Sequence, residues 1–94
     1  MAEFKVSQVI DGDTFDVSPQ WQWNRQTGDR VRPAGYDAPE LGTYGGQAAK
    51  DRLERLILGR RVELGAAYRI DRGRLVCEVY FQNNNLVQYF PEYR

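Results

Sequence analysis

Two stretches of this 94-residue chain bring acids to turns rather than to solvated strand faces: Asp11-Gly12-Asp13-Thr14, and Arg32-Pro33-Ala34-Gly35-Tyr36-Asp37-Ala38-Pro39-Glu40. A third, Asp71-Arg72-Gly73-Arg74, places arginines at a turn. Each has an ordinary structural reading when taken alone. Asp-Gly-Asp suits a hairpin turn, and Asp37-Ala38-Pro39-Glu40 suits a strand exit with Asp as a local cap. Taken together they form a set suited to an anionic substrate. Guanidinium groups grip phosphate oxygens in pairs, while carboxylates hold a hard cation or accept a proton.

The remaining composition narrows that chemistry. The chain has no His, which removes the usual general base, the usual zinc ligand and every Ser-His or Cys-His nucleophile pair. The single Cys77 cannot form an internal disulfide or a thiolate cluster, and its alternation with Leu75 and Val79 places it in the core. Thirteen Lys and Arg balance thirteen Asp and Glu, so no global basic field draws in nucleic acid. Eleven of those thirteen cations are Arg, most of them expected on the solvated surface. Catalysis would therefore run on carboxylates, arginines and a borrowed hard cation.

The length fits one domain, residues 1–94, with a modest core. No run approaches the roughly 18 apolar residues of a membrane-spanning helix. Met1-Ala2-Glu3-Phe4-Lys5 lacks the apolar stretch of a signal peptide, so a cytoplasmic location is the default expectation, with export open if a leader has been removed.

Periodicity supplies the elements that must hold these residues. Phe4–Ile10 and Thr14–Ser18 read as strands, the second continuing through Trp21 and Trp23 into a long hairpin that ends in the polar segment Asn24–Gly28. Asp29–Ala34 is a third strand, in which Pro33 implies a bulge or an edge. From Gln47 to Leu58 the period changes: Ala49, Leu53, Leu56 and Ile57 share one face of an amphipathic helix, and Gly59 stands where a left-handed cap belongs. Val62–Ala66 and Leu75–Phe81 alternate as a fourth and fifth strand. Asn83-Asn84-Asn85 is a turn, and Leu86–Arg94 has room for one helical turn. Three strands, a helix and two strands predict a mainly β (α+β) chain. The order suits a five-stranded OB-fold barrel with its helix between strands 3 and 4, and other α+β arrangements share it.

Val9-Ile10-Asp11-Gly12-Asp13-Thr14-Phe15 resembles the first signature of staphylococcal-nuclease-like (thermonuclease) domains, and Val31–Glu40 resembles the second. Gly46-Gln47-Ala48-Ala49-Lys50 is similar to the start of that family's helix, and Asp71–Val76 to its third signature. The blocks keep the family's order and spacing over roughly residues 4 to 87. This would be a short form, because family members usually continue into further C-terminal helices. The resemblance implies that Asp13 and Asp37 ligate Ca2+ with the backbone carbonyl of Ala38. It also implies that Glu40 is the general base or orients the attacking water, and that Arg32 and Arg74 flank the phosphate. With so few protein ligands, calcium affinity is expected at roughly 10⁻⁴–10⁻³ M without substrate. The third signature here lacks the family's aromatic residue before Gly73, so either Arg74 or Arg72 is left to face the phosphate.

The expected activity is calcium-dependent hydrolysis of DNA or RNA with little sequence preference, single-stranded nucleic acid being the first substrate to consider. The chain would act as a monomer or weak dimer without a membrane. The alternative is a catalytically silent OB module that binds nucleic acid or protein. A third reading is an incomplete piece of a longer nuclease. Trp21, Trp23, Tyr89, Phe90 and Tyr93 are expected to pack, with a base-stacking platform or a dimerising patch as the other uses.

Overall fold

The computed structural model describes residues 3 to 94. In β1 (Glu3–Asp11) and β2 (Thr14–Trp23) the apolar residues face one interior: Phe4, Val6 and Val9, then Phe15, Val17 and Trp21. A two-residue turn at Asn24 and Arg25, both at positive φ, leads into β3 (Gln26–Pro33). Much of the polar segment around Gln26 is thus strand, because the turn needs only two residues. Trp21 covers Gly28, and its Nε1 donates to the Arg30 carbonyl at 2.8 Å.

Helix α1 (Gly46–Ile57) buries Ala49, Leu53 and Ile57. Its end follows the expected pattern: Gly59 has φ 76° and donates its N–H to the Val6 carbonyl at 2.9 Å. The chain continues through β4 (Arg61–Asp71), β5 (Arg74–Phe81) and the two-residue β6 (Asn84–Asn85), which occupies part of the expected Asn turn. Two short 3₁₀ turns follow, Leu86–Tyr89 and Pro91–Tyr93.

The sheet order is β3-β2-β1-β4-β5-β6, and β3 also pairs in parallel with β5. That pairing closes a five-stranded mixed barrel with one helix between β3 and β4, consistent with an OB-fold and with the sequence-based expectation. β4 extends well past the Val62–Ala66 alternation. Register shifts between Leu64 and Ala67 and again between Ala67 and Arg69 break the period of two, which hides the second half of the strand from a pattern reading. By the Phe15–Val31 register, Pro33 lies opposite Asp13, just before β2 begins, so its missing N–H interrupts no ladder there.

Cys77 is fully buried, and burial pushes its thiol up to about 12. Trp21 and Phe90 are core residues, and Trp23, Tyr89 and Tyr93 pack half-buried against them. The packing role therefore accounts for all five aromatics. No helix among the described residues is long and apolar enough to cross a membrane.

Candidate active site

The first acidic turn joins β1 to β2, with Asp11 paired across from Thr14. Asp11 Oδ1 accepts the Asp13 N–H at 3.0 Å and fixes the turn. Gly12 is pressed into the molecule, since a Cβ there would lie 2.6 Å from the Ala49 Cβ and 2.7 Å from the Ala38 Cβ. This contact brings the turn against both α1 and the second acidic segment. Asp13 is only 8% exposed. Its Oδ2 accepts the Ala38 N–H at 3.1 Å and faces Arg32 Nη2 at 3.5 Å, while its Oδ1 accepts the Thr14 hydroxyl at 3.4 Å. Burial first, then the Asp11 side chain beside it, pushes the Asp13 carboxyl up to about 6.

Arg32 lies near the end of β3, fixed by the parallel register that sets it beside Val76 of β5. The same Nη2 that faces Asp13 also pairs with Asp37 Oδ1, so two carboxylates converge on one guanidinium. Asp37 and Glu40 lie exposed on the segment that leaves β3. The turn before β5 consists of Arg72 (φ 54°) and Gly73 (φ 80°), a tight two-residue hairpin with Asp71 opposite Arg74. Arg74 Nη2 pairs with Asp71 Oδ2 at 3.0 Å, and its Nη1 donates to Thr14 Oγ1 at 3.3 Å. The shortened turn thus leaves Arg74 beside the first acidic turn, with Arg72 exposed at the rim of the same cleft.

All six residues singled out from the sequence, Asp13, Arg32, Asp37, Ala38, Glu40 and Arg74, line one cleft of about 610 Å³. Asp11, Arg69, Asp71, Arg72 and Arg94 line it too, and sequence reasoning assigned none of them except Arg72 as a stand-in for Arg74. Two further residues escaped it. Tyr36 is buried and donates its hydroxyl to the Gly12 carbonyl at 3.0 Å, and burial holds its phenol well above the ordinary range. Gly46 opens α1 directly against the Glu40 carbonyl, where a Cβ has no room. The available signals were an aromatic inside an acidic loop and a glycine at a helix start.

The side-chain groups of the cleft able to hold a metal are all carboxylates, those of Asp11, Asp13, Asp37, Glu40 and Asp71, and the resemblance to the family adds the Ala38 carbonyl as a candidate. Among the described residues no group of three His, Cys, Asp or Glu side chains is spaced to hold an ion unaided. The Asp13 and Asp37 carboxylates nonetheless meet at the Arg32 guanidinium, and burial, then the neighbouring Asp11 side chain, raises the proton affinity of Asp13. Such a set fits a hard divalent ion that keeps several water or substrate ligands.

A closed OB-type barrel with acids and arginines facing each other across one cleft defines the structural class of this chain. No protein-family model matches it. It is 42% identical over 82 residues to a micrococcal nuclease of Shigella flexneri, an alignment covering 84% of this chain and 44% of the relative. It is 40% identical over 100 aligned positions to the probable endonuclease LCL3 of Coccidioides posadasii, covering 81% of this chain and 32% of that protein. The chain therefore carries a staphylococcal-nuclease-like domain, and it spans less than half the length of these curated relatives.

Proposed function

We propose that this protein is a calcium-dependent nuclease that hydrolyses phosphodiester bonds of DNA or RNA with little sequence preference, acting most readily on single strands. The observation that carries this reading is the meeting of Asp13, Asp37 and Arg32 in the cleft that Glu40 and Arg74 also line. The relatives, named as a nuclease and a probable endonuclease, support the same class of reaction.

Asp13, Asp37 and the Ala38 carbonyl would hold the calcium ion in this reading. When bound, the ion supplies Lewis acidity toward a phosphoryl oxygen. Arg32 and Arg74 grip the non-bridging oxygens and stabilise the charge that grows as the phosphorus becomes five-coordinate. Both guanidiniums are held at the cleft by carboxylates, so they are oriented before substrate arrives. Glu40 takes a proton from water as the water oxygen bonds to phosphorus. The ester P–O bond opposite breaks, and the departing oxygen is protonated from solvent. Nothing in this cycle needs a His, which the chain lacks. With little basic field overall, affinity rests on the arginines of the cleft, including Arg69, Arg72 and Arg94.

The test is cleavage of a single-stranded oligonucleotide in calcium and in chelator, with wild-type protein and Glu40→Gln. Calcium-dependent cleavage that collapses in Glu40→Gln supports the reading. Binding without turnover would instead identify a catalytically silent OB module.

A further inference from the structure

We propose that Tyr36, clasped by the C-terminal turns, is a positioning residue that sets the spacing between the two acidic segments of the cleft. This rests on the proposed nuclease reading for its catalytic meaning, while its structural content stands separately.

The two segments come from distant parts of the barrel, one between β1 and β2 and the other after β3. Asp13 and Asp37 must nevertheless stay in register to act on one ion or one phosphate. Direct ties between the segments are few. Asp13 Oδ2 takes the Ala38 N–H, and Arg32 spans both carboxylates. Those contacts involve the reacting groups themselves, which must be free to exchange partners when substrate arrives. Tyr36 supplies a tie that uses no reacting group. Its hydroxyl reaches across to the Gly12 carbonyl at 3.0 Å, within the first acidic turn, while its backbone immediately precedes Asp37.

The Tyr36 ring is held from behind. It stacks on Phe90 with centroids 5.0 Å apart, and Phe90 stacks on Tyr93 at 6.0 Å. The Arg52 guanidinium of α1 lies over two of these rings, 4.8 Å from Phe90 and 5.5 Å from Tyr93. Arg52 also donates to the Tyr89 carbonyl at 3.0 Å and pairs with Glu92. Finally, the Asp37 N–H donates to the Tyr93 carbonyl at 2.8 Å, so the clasp grips the acidic segment by backbone as well as by side chain. A loop residue with a buried ring, a buried hydroxyl bond and a neighbour tied at the main chain has little freedom to drift. Proximity arguments make that valuable, because a displacement of about 1 Å at a reacting group can lower a rate about 10²-fold.

The experiment uses Tyr36→Phe, which removes the hydroxyl bond and keeps the stack, and Phe90→Leu, which removes the stack and keeps an apolar side chain. The first readout is amide hydrogen exchange of the Asp37 and Ala38 N–H groups without metal. A buried hydrogen bond worth about 0.5–1.5 kcal/mol predicts roughly 2- to 12-fold faster exchange in Tyr36→Phe, with the β1–β2 ladder unchanged. The second readout is the split between kcat and KM on a single-stranded oligonucleotide in saturating calcium. The expected result is a fall in kcat of at least several-fold with KM within twofold of wild type. Unchanged exchange at Asp37 and Ala38 in both folded variants would overturn the proposal. So would faster exchange with kcat intact. A wild-type protein that does not cleave would overturn the nuclease reading instead, and the exchange result would still decide whether Tyr36 holds the segment.

Discussion

Asp13 is the clearest place where the demands of folding and of chemistry oppose each other. It is a carboxylate only 8% exposed, with Asp11 as neighbour, and its proton affinity rises from the ordinary 3.8 to about 6. A raised value means the folded state binds the proton more tightly than the unfolded chain does. The corresponding stability is fully present below about 3.8 and is lost as pH climbs through about 6. At pH 8 the ionised carboxylate thus burdens the metal-free fold by about 3 kcal/mol, an upper figure for the neutral-to-charged difference. Asp13→Asn removes the charge and keeps the shape. Its Oδ1 can still accept the Ala38 N–H, and its amide can donate to Thr14 Oγ1 or Asp11. Allowing for the lost contact to Arg32, we expect about 1–2 kcal/mol of added stability at pH 8 in chelator. For a domain of this size that is an increase in Tm of about 5–15 °C. The same variant should lose calcium binding and cleavage. Thermal melts at pH 8 and pH 5 in chelator test this, and the advantage of Asp13→Asn should shrink at the lower pH. A variant less stable than wild type at pH 8, or a gap that does not narrow at pH 5, would refute the reasoning.

Other outcomes follow from the same cleft. Glu40→Gln should lower kcat by about 10²–10⁴-fold with Tm unchanged, because Glu40 is exposed and its part in the proposed reaction is proton transfer. Arg32→Lys keeps the charge but loses the planar fork, so steady-state kinetics should show a kcat/KM reduced by at least tenfold and only partly rescued by excess calcium. Gly12→Ala forces a methyl group against Ala38 and Ala49, and urea titration should show a loss of about 1–3 kcal/mol. Raising salt from about 50 to 200 mM should weaken oligonucleotide binding to Glu40→Gln steeply, as expected where the cleft arginines meet phosphates.

The barrel was largely legible because its signals are periodic. Phe15 and Val17, Leu75, Cys77 and Val79 alternate cleanly, and Ala49, Leu53 and Ile57 keep helical spacing. The second half of β4 was not, because two register shifts between Leu64 and Arg69 erase the alternation. The cleft was legible to the extent that its residues sit in short motifs, and Asp13, Arg32, Asp37, Ala38, Glu40 and Arg74 all line it. Arg69 and Arg94 belong to it only through folding, since nothing in their local sequence separates them from solvated arginines. Tyr36 could be noticed as an unusual residue, but its bond to Gly12 depends on two segments meeting in space.

The parallel pairing of β3 with β5 carries a consequence for timing. Val31 meets Leu75 across nearly half of the chain's length, so this ladder has a high loop-closure penalty and is expected to form late. Arg32 and Arg74 flank that same junction. An incompletely folded chain therefore has its acidic turn but not its pair of guanidiniums, and on the proposed nuclease reading it would not cut. Onset of cleavage during refolding should trail the burial of Trp21 in the β1–β3 meander, which would make enzymatic competence itself a clock for the last ladder to zip.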